Sequence, residues 1–267
     1  MPEWLITIFI QNGNMKSTLL IGIFVFFLQS CFAVEPPTSN SEPISHEIWN
    51  NLLKKYVNDK GFVNYAGFKK DQKELKKYLD ILSNNAPNEK WTQNEQLAYW
   101  INAYNAFTVQ LILDNADKGL TSIKDIGDKI KIPFINTAWD IKFIKINGKV
   151  LDLNNIEHGI IRKKFNEPRI HFALVCAAKS CPPLRNEAFV AEKLDAQLDS
   201  QAIAFINDSF KNQVSKNSLK ISKIFSWYGS DFKGNLIDWI NKYAKTKANS
   251  DAQIKYLDYD WALNGKL

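Results

Sequence analysis

Apolar residues recur at helical spacing in several stretches and predict a largely helical framework. Residues 46–57 and 69–83 each place their apolar side chains on one face. The longest helical pattern runs from Thr92 to about Leu113, and Thr92 and Glu95 have the spacing of a capping box. Because its apolar surface is wide, we expect this helix to be buried on most sides. Further helices are predicted over 154–165, 187–206 and 235–244.

Shorter patterns predict strands. Residues 139–146 alternate apolar and polar, and Asn147-Gly148 before the returning run 149–153 is typical of a hairpin with a type I′ turn. Residues 170–175 are apolar except for His171, which predicts a buried strand. Another strand is predicted over 219–225.

The composition is that of a globular protein, with 267 residues of which 45% are hydrophobic and 23% charged. No internal repeat or interior linker is visible. We therefore predict a single α+β domain over 46–267, with several helices packed on a small antiparallel or mixed sheet. Residues 34–45 are polar and proline-rich, which predicts a tether.

The N-terminal residues predict an export signal. Residues 19–28 form an almost wholly apolar run, which is too short for a stable membrane span. We interpret 1–31 as a signal peptide, with Met15 as the favoured start. Leu28-Gln29-Ser30-Cys31 resembles a lipobox, which would leave Cys31 as a lipid anchor at the cell envelope or periplasm. Cleavage by a general signal peptidase after Ala33 is the alternative and would give a soluble form.

The charge and the missing motifs exclude several function classes. The net charge is +6, from 34 Lys and Arg against 28 Asp and Glu, and no compact basic block is present. A solvated basic surface is therefore favoured over a nucleic-acid site. The chain lacks G-x-S-x-G, a P-loop and G-x-G-x-x-G, so nucleotide hydrolysis and dinucleotide chemistry are disfavoured, and no cofactor is predicted.

Candidate chemistry is concentrated in and around residues 169–183. A cysteine nucleophile such as Cys176 needs a base and a third group that orients the base. His171 and His158 are the candidate bases. His171 and Cys176 have opposite parity on a regular strand, which favours His158 or a bulge. The candidate orienting residues are Asn102, Asn105, Glu157 and Asp231.

Three further residues, Arg169, Asn105 and Trp100, are candidates for binding. Arg169 can hold a carboxylate, although a salt bridge to a helix end is the simpler interpretation. Asn102 and Asn105 share one face of the 92–113 helix. As buried amides they either tie down neighbouring loops or serve a histidine or a developing oxyanion.

Two alternatives to nucleophilic chemistry involve the same residues. A metal site is disfavoured, because Glu157, His158, His171 and Cys176 lack the paired spacing of metal ligands. A disulfide between Cys176 and Cys181 would close the loop in an oxidising compartment. Their separation of five positions is not that of a C-x-x-C redox motif.

Four segments resemble the domain-of-unknown-function 547 family. They are AYWINAYNAFTV at 98–109, LNNIEHGIIRKKF at 153–165, RIHFALVCAAKSCPPL at 169–184 and YLDYDWALN at 256–264. The resemblance covers roughly 49–264. It implies little about activity, and it favours Cys176 over Cys181 for a shared role.

Two functions remain open from the sequence. The first is an envelope hydrolase or acyl transferase that uses Cys176 with His158 or His171 on a small-molecule or peptide substrate, by analogy with papain- and transglutaminase-like proteins. The second is a non-enzymatic, membrane-tethered binding or assembly domain stabilised by a Cys176–Cys181 disulfide. The thiol state of the mature protein distinguishes them.

The lipobox predicts that the exported protein is anchored through Cys31. Cys31→Ala should release a soluble form or leave uncleaved precursor, as measured by membrane fractionation and N-terminal sequencing. A wild-type protein that is soluble and begins at Val34 would contradict the lipoprotein interpretation.

Overall fold

A helix of 23 residues, α4 (Gln93–Asn115), runs through the middle of the fold and is buried at every position from Gln96 to Leu113. The computed structural model describes residues 35–127 and 137–267. The predicted signal peptide and Cys31 lie outside the described residues, as do residues 128–136.

The described residues contain seven other helices. They are α1 (Glu47–Tyr56), α2 (Tyr65–Lys70), α3 (Gln72–Asn84), α5 (Arg162–Lys164), α6 (Leu194–Ile206), α7 (Ile224–Trp227) and α8 (Leu236–Tyr243). A π-helix over Asn155–Ile161 leads directly into α5. Within the described ranges, none of the helices combines the length and the apolarity that crossing a membrane requires.

The strands form three small sheets. β1 (Val63–Asn64) pairs in parallel with β7 (Gly265–Lys266). β2 (Ile144–Ile146) and β3 (Lys149–Leu151) form an antiparallel hairpin. β5 (Ser218–Ile221) lies between β4 (Gln213–Val214), antiparallel to it, and β6 (Gln253–Tyr256), parallel to it. The predicted α+β class is confirmed, with the helices carrying most of the core.

The start of α4 follows from its sequence. The Thr92 amide donates to Glu95 Oε2 at 2.6 Å, and the Glu95 amide donates to Thr92 Oγ1 at 3.3 Å, so the capping box is present. Trp100 and Tyr104 are each 1% exposed, as the wide apolar surface predicts. A helix buried on all sides is held by packing rather than by its own propensity.

The hairpin turn is also as predicted. Asn147 and Gly148 both have positive φ, at 44° and 78°, as a type I′ turn requires. The first strand begins at Ile144 rather than at Trp139. Thr137 caps a 3-10 turn over Ala138–Asp140 and so ends the extended backbone there.

The proline-rich segment predicted as a tether has no regular secondary structure, and it is bonded to the domain. Ser39 Oγ donates to the Ala86 carbonyl at 2.7 Å, and Trp91 Nε1 donates to the Ser41 carbonyl at 2.7 Å. Residues 35–45 therefore lie along the helical domain.

The strand predicted over residues 170–175 is wrong. A 3-10 turn occupies Pro168–Phe172, and the chain continues without regular structure to Cys176. All six residues are buried, so the apolar run indicated burial correctly. No strand lies beside this segment, and side-chain amides pair with its backbone instead. The helix predicted from residue 187 begins only at Leu194. Before it, the backbone N–H and C=O of Phe189 form hydrogen bonds with the Asn102 side chain of α4 instead of helical bonds.

The buried position of Trp100 predicts a large loss of stability when its side chain is truncated. Trp100→Ala should lower the free energy of unfolding by about 3–5 kcal/mol, since the cavity cannot collapse fully inside a packed core. Chemical denaturation measures this. Phe210→Ala, at a side chain 59% exposed, is the control and should change stability by less than about 0.5 kcal/mol. Equal effects of the two changes would contradict the central placement of α4.

Candidate functional site

Two asparagines on α4 bind the backbone of the loops that carry the candidate chemistry. Asn102 Nδ2 donates to the Phe189 carbonyl at 2.7 Å and Asn102 Oδ1 accepts from the Phe189 amide at 3.0 Å. Asn105 Nδ2 donates to the Ala173 carbonyl at 2.9 Å and Asn105 Oδ1 accepts from the Val175 amide at 2.9 Å. Each side-chain amide thus pairs with one backbone C=O and one backbone N–H, as a neighbouring strand would. Both side chains form hydrogen bonds to loop backbone rather than to a histidine. Of the two roles that the sequence left open for Asn102 and Asn105, the structure shows the one in which they tie down neighbouring loops.

Two glutamines on α6 act in the same way from the opposite side. Gln201 Nε2 donates to the Phe172 carbonyl at 3.0 Å and to the Pro183 carbonyl at 2.9 Å. Gln197 Nε2 donates to the Ala188 carbonyl at 2.8 Å. The irregular segment is therefore fixed from both flanking helices.

This segment brings the two cysteines together. Cys176 Sγ and Cys181 Sγ are 2.6 Å apart, and both cysteines are free thiols. The Cys176 amide donates to Cys181 Sγ at 2.8 Å, and the hydroxyl of Tyr259 lies 3.4 Å from Cys176 Sγ. Cys181 is buried and Cys176 is half-buried, so an external molecule reaches Cys176 first.

The surroundings of the two thiols make them unequal. The hydrogen bond to Cys181 and then burial raise the pKa of Cys176 well above its ordinary value. Burial also acts to raise the pKa of Cys181, but the Cys176 thiol, the Cys176 amide and Tyr259 outweigh it, so the pKa of Cys181 is lowered. The pair therefore gives up one proton readily and the second with difficulty, and the remaining proton lies between the sulfurs.

The loop between the cysteines contains a strained residue. Ala177 has φ of 58°, in the left-handed region that costs a non-glycine residue roughly 1–2 kcal/mol. The C-terminal segment holds it there. The Asn264 amide donates to the Ala177 carbonyl at 3.0 Å, and the Lys179 amide donates to the Ala262 carbonyl at 2.8 Å. Strain of this kind is often found at functional sites.

The two histidines belong to a separate cluster. His171 Nε2 lies 2.8 Å from Asp231 Oδ2, and Arg162 makes a two-pronged ion pair with the same carboxylate at 2.6 and 2.8 Å. His158 Nδ1 lies 3.0 Å from Arg162 Nη1, four positions later in the chain. Among the described residues no imidazole is hydrogen-bonded to Cys176. The neighbours of the Cys176 sulfur are the Cys181 thiol and the Tyr259 hydroxyl.

The charges in the histidine cluster follow from burial and from Arg162. The Arg162 guanidinium, opposed by burial, holds the pKa of Asp231 well below its usual range. Burial lowers the pKa of His171, so this imidazole is neutral at neutral pH and Nε2 carries the proton donated to Asp231.

Tyr228 packs against the histidine cluster. Its ring stacks on His171 with centroids 3.9 Å apart and on His158 at 6.1 Å. Burial, the Glu157 carboxylate and the Cys176 thiol raise the pKa of Tyr228. Glu157 is buried within the π-helix, whereas its neighbour His158 is exposed. Single-turn π-helices are frequent at functional sites.

The remaining candidate residues, Arg169 and Trp100, contribute to ion pairs and to the core. Arg169 forms ion pairs with Glu167, Asp195 and Asp199 at 2.6, 2.7 and 2.6 Å, which matches the simpler interpretation. Trp100 is enclosed in the core and does not line a surface. Within 35–127 and 137–267, no three His, Cys, Asp or Glu side chains are grouped as metal ligands.

Sequence reasoning did not identify Tyr259 or Tyr228 as site residues. Tyr259 is in the fourth family-like segment, and that segment is the only signal that pointed to it. Tyr228 had no signal in the spacing of residues, because His158, Arg162 and His171 lie more than 50 residues earlier in the chain.

The bonds of Asn105 predict that the cysteine loop depends on this side chain. Asn105→Ala leaves the Ala173 carbonyl and the Val175 amide buried without their partner, each costing about 1–3 kcal/mol. Stability should fall by that sum, and hydrogen exchange at the Val175 amide should accelerate. Asn84→Ala is the matched control, since Asn84 is exposed and bonds only within α3. A loss as small as the control's would show that the loop does not need the amide.

Comparison with known proteins supports one relationship. Residues 88–206 match the family model described as "Protein of unknown function, DUF547". No curated protein and no solved structure matches the chain. The matched range includes both cysteines, both α4 asparagines and the π-helix, whereas Tyr228, Asp231 and Tyr259 follow it. Residues 88–206 therefore carry a DUF547 domain, a family of unknown function.

Proposed function

We propose that Cys176 and Cys181 form a reversible dithiol–disulfide centre through which the domain exchanges disulfides with a partner molecule. The observation that carries this proposal is the 2.6 Å separation of the two free sulfurs. A disulfide is about 2.05 Å long, so a shift of roughly half an ångström closes the bond. The loop that positions the sulfurs is fixed by α4, α6 and the C-terminal segment.

The reaction is thiol–disulfide exchange. Cys176 passes its proton to Cys181 and attacks one sulfur of the partner's disulfide, which forms a mixed disulfide and expels the other partner sulfur as a thiolate. Cys181 gives the shared proton to this thiolate and, as a thiolate, attacks the sulfur of Cys176. That step closes the Cys176–Cys181 bond and releases the second partner sulfur. Two electrons pass from the dithiol to the partner, and the reverse sequence oxidises a partner dithiol.

The two cysteines have different roles in this scheme. Cys176 is the half-buried sulfur that meets the partner, and Cys181 is the buried sulfur that resolves the mixed disulfide. The Cys176 amide and Tyr259 stabilise the thiolate on Cys181, which keeps the shared proton available for transfer. Burial raises the pKa of Tyr259 well above its usual value, so its hydroxyl remains a donor.

Single-cysteine variants test the division of roles. In a Cys31→Ser background, the wild-type pair should release two equivalents of coloured thiolate from a nitrobenzoate disulfide, because Cys181 expels the first adduct. Cys181→Ser should release one equivalent and keep the adduct on Cys176, as seen by intact mass. Cys176→Ser should react at least tenfold more slowly, since Cys181 is only 3% exposed.

Two results would overturn the exchange mechanism. One is a stable adduct on Cys176 in the protein that retains both thiols, which would mean that Cys181 does not resolve. The other is equal reactivity of the two single-cysteine variants. A pair that stays oxidised under strong reductant favours the binding or assembly domain stabilised by a disulfide.

A second candidate is a cysteine-dependent hydrolase or acyl transferase, and the His171–Asp231 pair favours it. Here the Cys176 thiolate attacks an acyl carbonyl, expels the leaving group and forms a thioester, which water or an acceptor then cleaves. This candidate requires His171 or His158 to take the Cys176 proton, although neither imidazole is hydrogen-bonded to that sulfur among the described residues. An acyl adduct on Cys176 after incubation with an activated ester, turning over in wild type and persisting in His171→Gln, supports this candidate. Absence of any adduct removes it.

We also propose that the protein is exported, as the apolar run and the lipobox-like residues near its start indicate, and export favours the exchange candidate. If Cys31 anchors the protein in the cell envelope, the compartment is oxidising and a dithiol there has disulfide partners available.

A further inference from the structure

Four aromatic side chains form a continuous surface, which we call the aromatic platform: Trp139, Trp227, Tyr259 and Trp261. Tyr259 and Trp261 have ring centroids 4.6 Å apart, and Trp227 lies 4.8 Å from Tyr259 and 5.9 Å from Trp261. Trp139 extends the row, at 5.7 Å from Trp261. The platform joins α7 to the C-terminal segment that holds the cysteine loop.

The platform begins at the reactive sulfur. The Tyr259 hydroxyl is 3.4 Å from Cys176 Sγ, and the rings of Trp227 and Trp261 pack on Tyr259. A molecule bonded to Cys176 therefore has its neighbouring atoms beside these rings. Adjacent residues of a peptide are about 3.8 Å apart, so the residues next to a bound cysteine reach the platform.

The platform is open to solvent. Trp227 is 47% exposed, and Tyr259, Trp261 and Trp139 are half-buried. A single exposed aromatic residue needs no explanation, whereas a contiguous group of four marks an interaction surface. Tryptophan and tyrosine are also the residues that contribute most to binding at protein interfaces.

Two exposed lysines lie at the rim of the platform. Lys124 Nζ lies 5.3 Å from the ring of Trp261, and Lys179, within the cysteine loop, is exposed. Neither lysine forms an ion pair with the residues that the structure describes. Three acids adjoin the platform and accept hydrogen bonds from backbone amides of their own turns: Asp125, Asp140 and Asp260. Asp258 is exposed and lies 3.3 Å from Lys223. Charge complementarity therefore favours an acidic group on the bound molecule.

We propose that the aromatic platform binds a polypeptide segment in which an apolar or aromatic side chain and an acidic side chain flank a cysteine. The inference rests on the proposed disulfide exchange, for which it supplies the class of partner. The flanking apolar side chain packs on Trp227 and Tyr259, and the acid lies at the rim lysines. The partner's cysteine is thereby held beside Cys176.

Three peptides test the proposal, each carrying one cysteine as a mixed disulfide with a nitrobenzoate thiol. The first has phenylalanine before the cysteine and glutamate after it, the second has serine in place of phenylalanine, and the third has lysine in place of glutamate. The rate of release of the coloured thiolate is measured with the full chain. The first peptide should react at least tenfold faster than the second and severalfold faster than the third, and the advantage over the third should shrink with added salt.

Variants assign the preference to the platform. Trp227→Ala should reduce the advantage of the phenylalanine peptide over the serine peptide to about twofold. Phe210→Ala removes another exposed aromatic side chain, 59% exposed, and should leave the advantage unchanged. Equal rates for the first two peptides, or equal effects of the two variants, would overturn the proposal.

A binding measurement separates this inference from the proposed function. The same peptides with serine in place of cysteine are titrated while tryptophan fluorescence is followed. Saturable binding of the phenylalanine peptide without thiolate release from any peptide would keep the platform and remove the exchange activity. Release at equal rates with no binding would keep the exchange and remove the platform. Quenching by a neutral oligosaccharide but not by the peptides would assign the platform to a different ligand.

Discussion

Hydrogen bonds from buried side-chain amides to irregular backbone are the constraint on which this structure depends. A loop that passes through a core leaves its N–H and C=O groups without water, and each unpaired group costs about 1–3 kcal/mol. Asn102 and Asn105 from α4 and Gln197 and Gln201 from α6 supply the missing partners. Most of the segment from Phe172 to Val190 can therefore be buried or half-buried without belonging to a sheet.

The thiol centre depends on these hydrogen bonds. Two sulfurs 2.6 Å apart require fixed backbone at both ends of the loop, and the Asn105 and Gln201 bonds hold the two flanks. The C-terminal segment closes the loop from outside through its bonds to Ala177 and Lys179. It also brings Tyr259 to the sulfur. Segments that are far apart in the sequence thus meet at one half-buried thiol.

The sequence predicted the parts of this fold that local patterns encode. The capping box at Thr92 and the apolar surface behind it identified α4, and Asn147-Gly148 identified the hairpin. The buried run at 170–175 was assigned to a strand because an apolar run reports burial and not backbone conformation. What decided its conformation was Asn105, 65 or more residues earlier. Tyr228 and Tyr259 were missed for the same reason, since their roles depend on tertiary contacts.

The central claim is that Cys176 and Cys181 act as one two-electron couple. The most direct measurement is a titration with defined ratios of reduced and oxidised dithiothreitol, in which free thiols are alkylated and counted by intact mass. The account predicts a single reversible transition in which both thiols appear and disappear together, at the same midpoint from either direction. Two thiols that remain free under the most oxidising ratio, or a transition that changes one thiol alone, would contradict it.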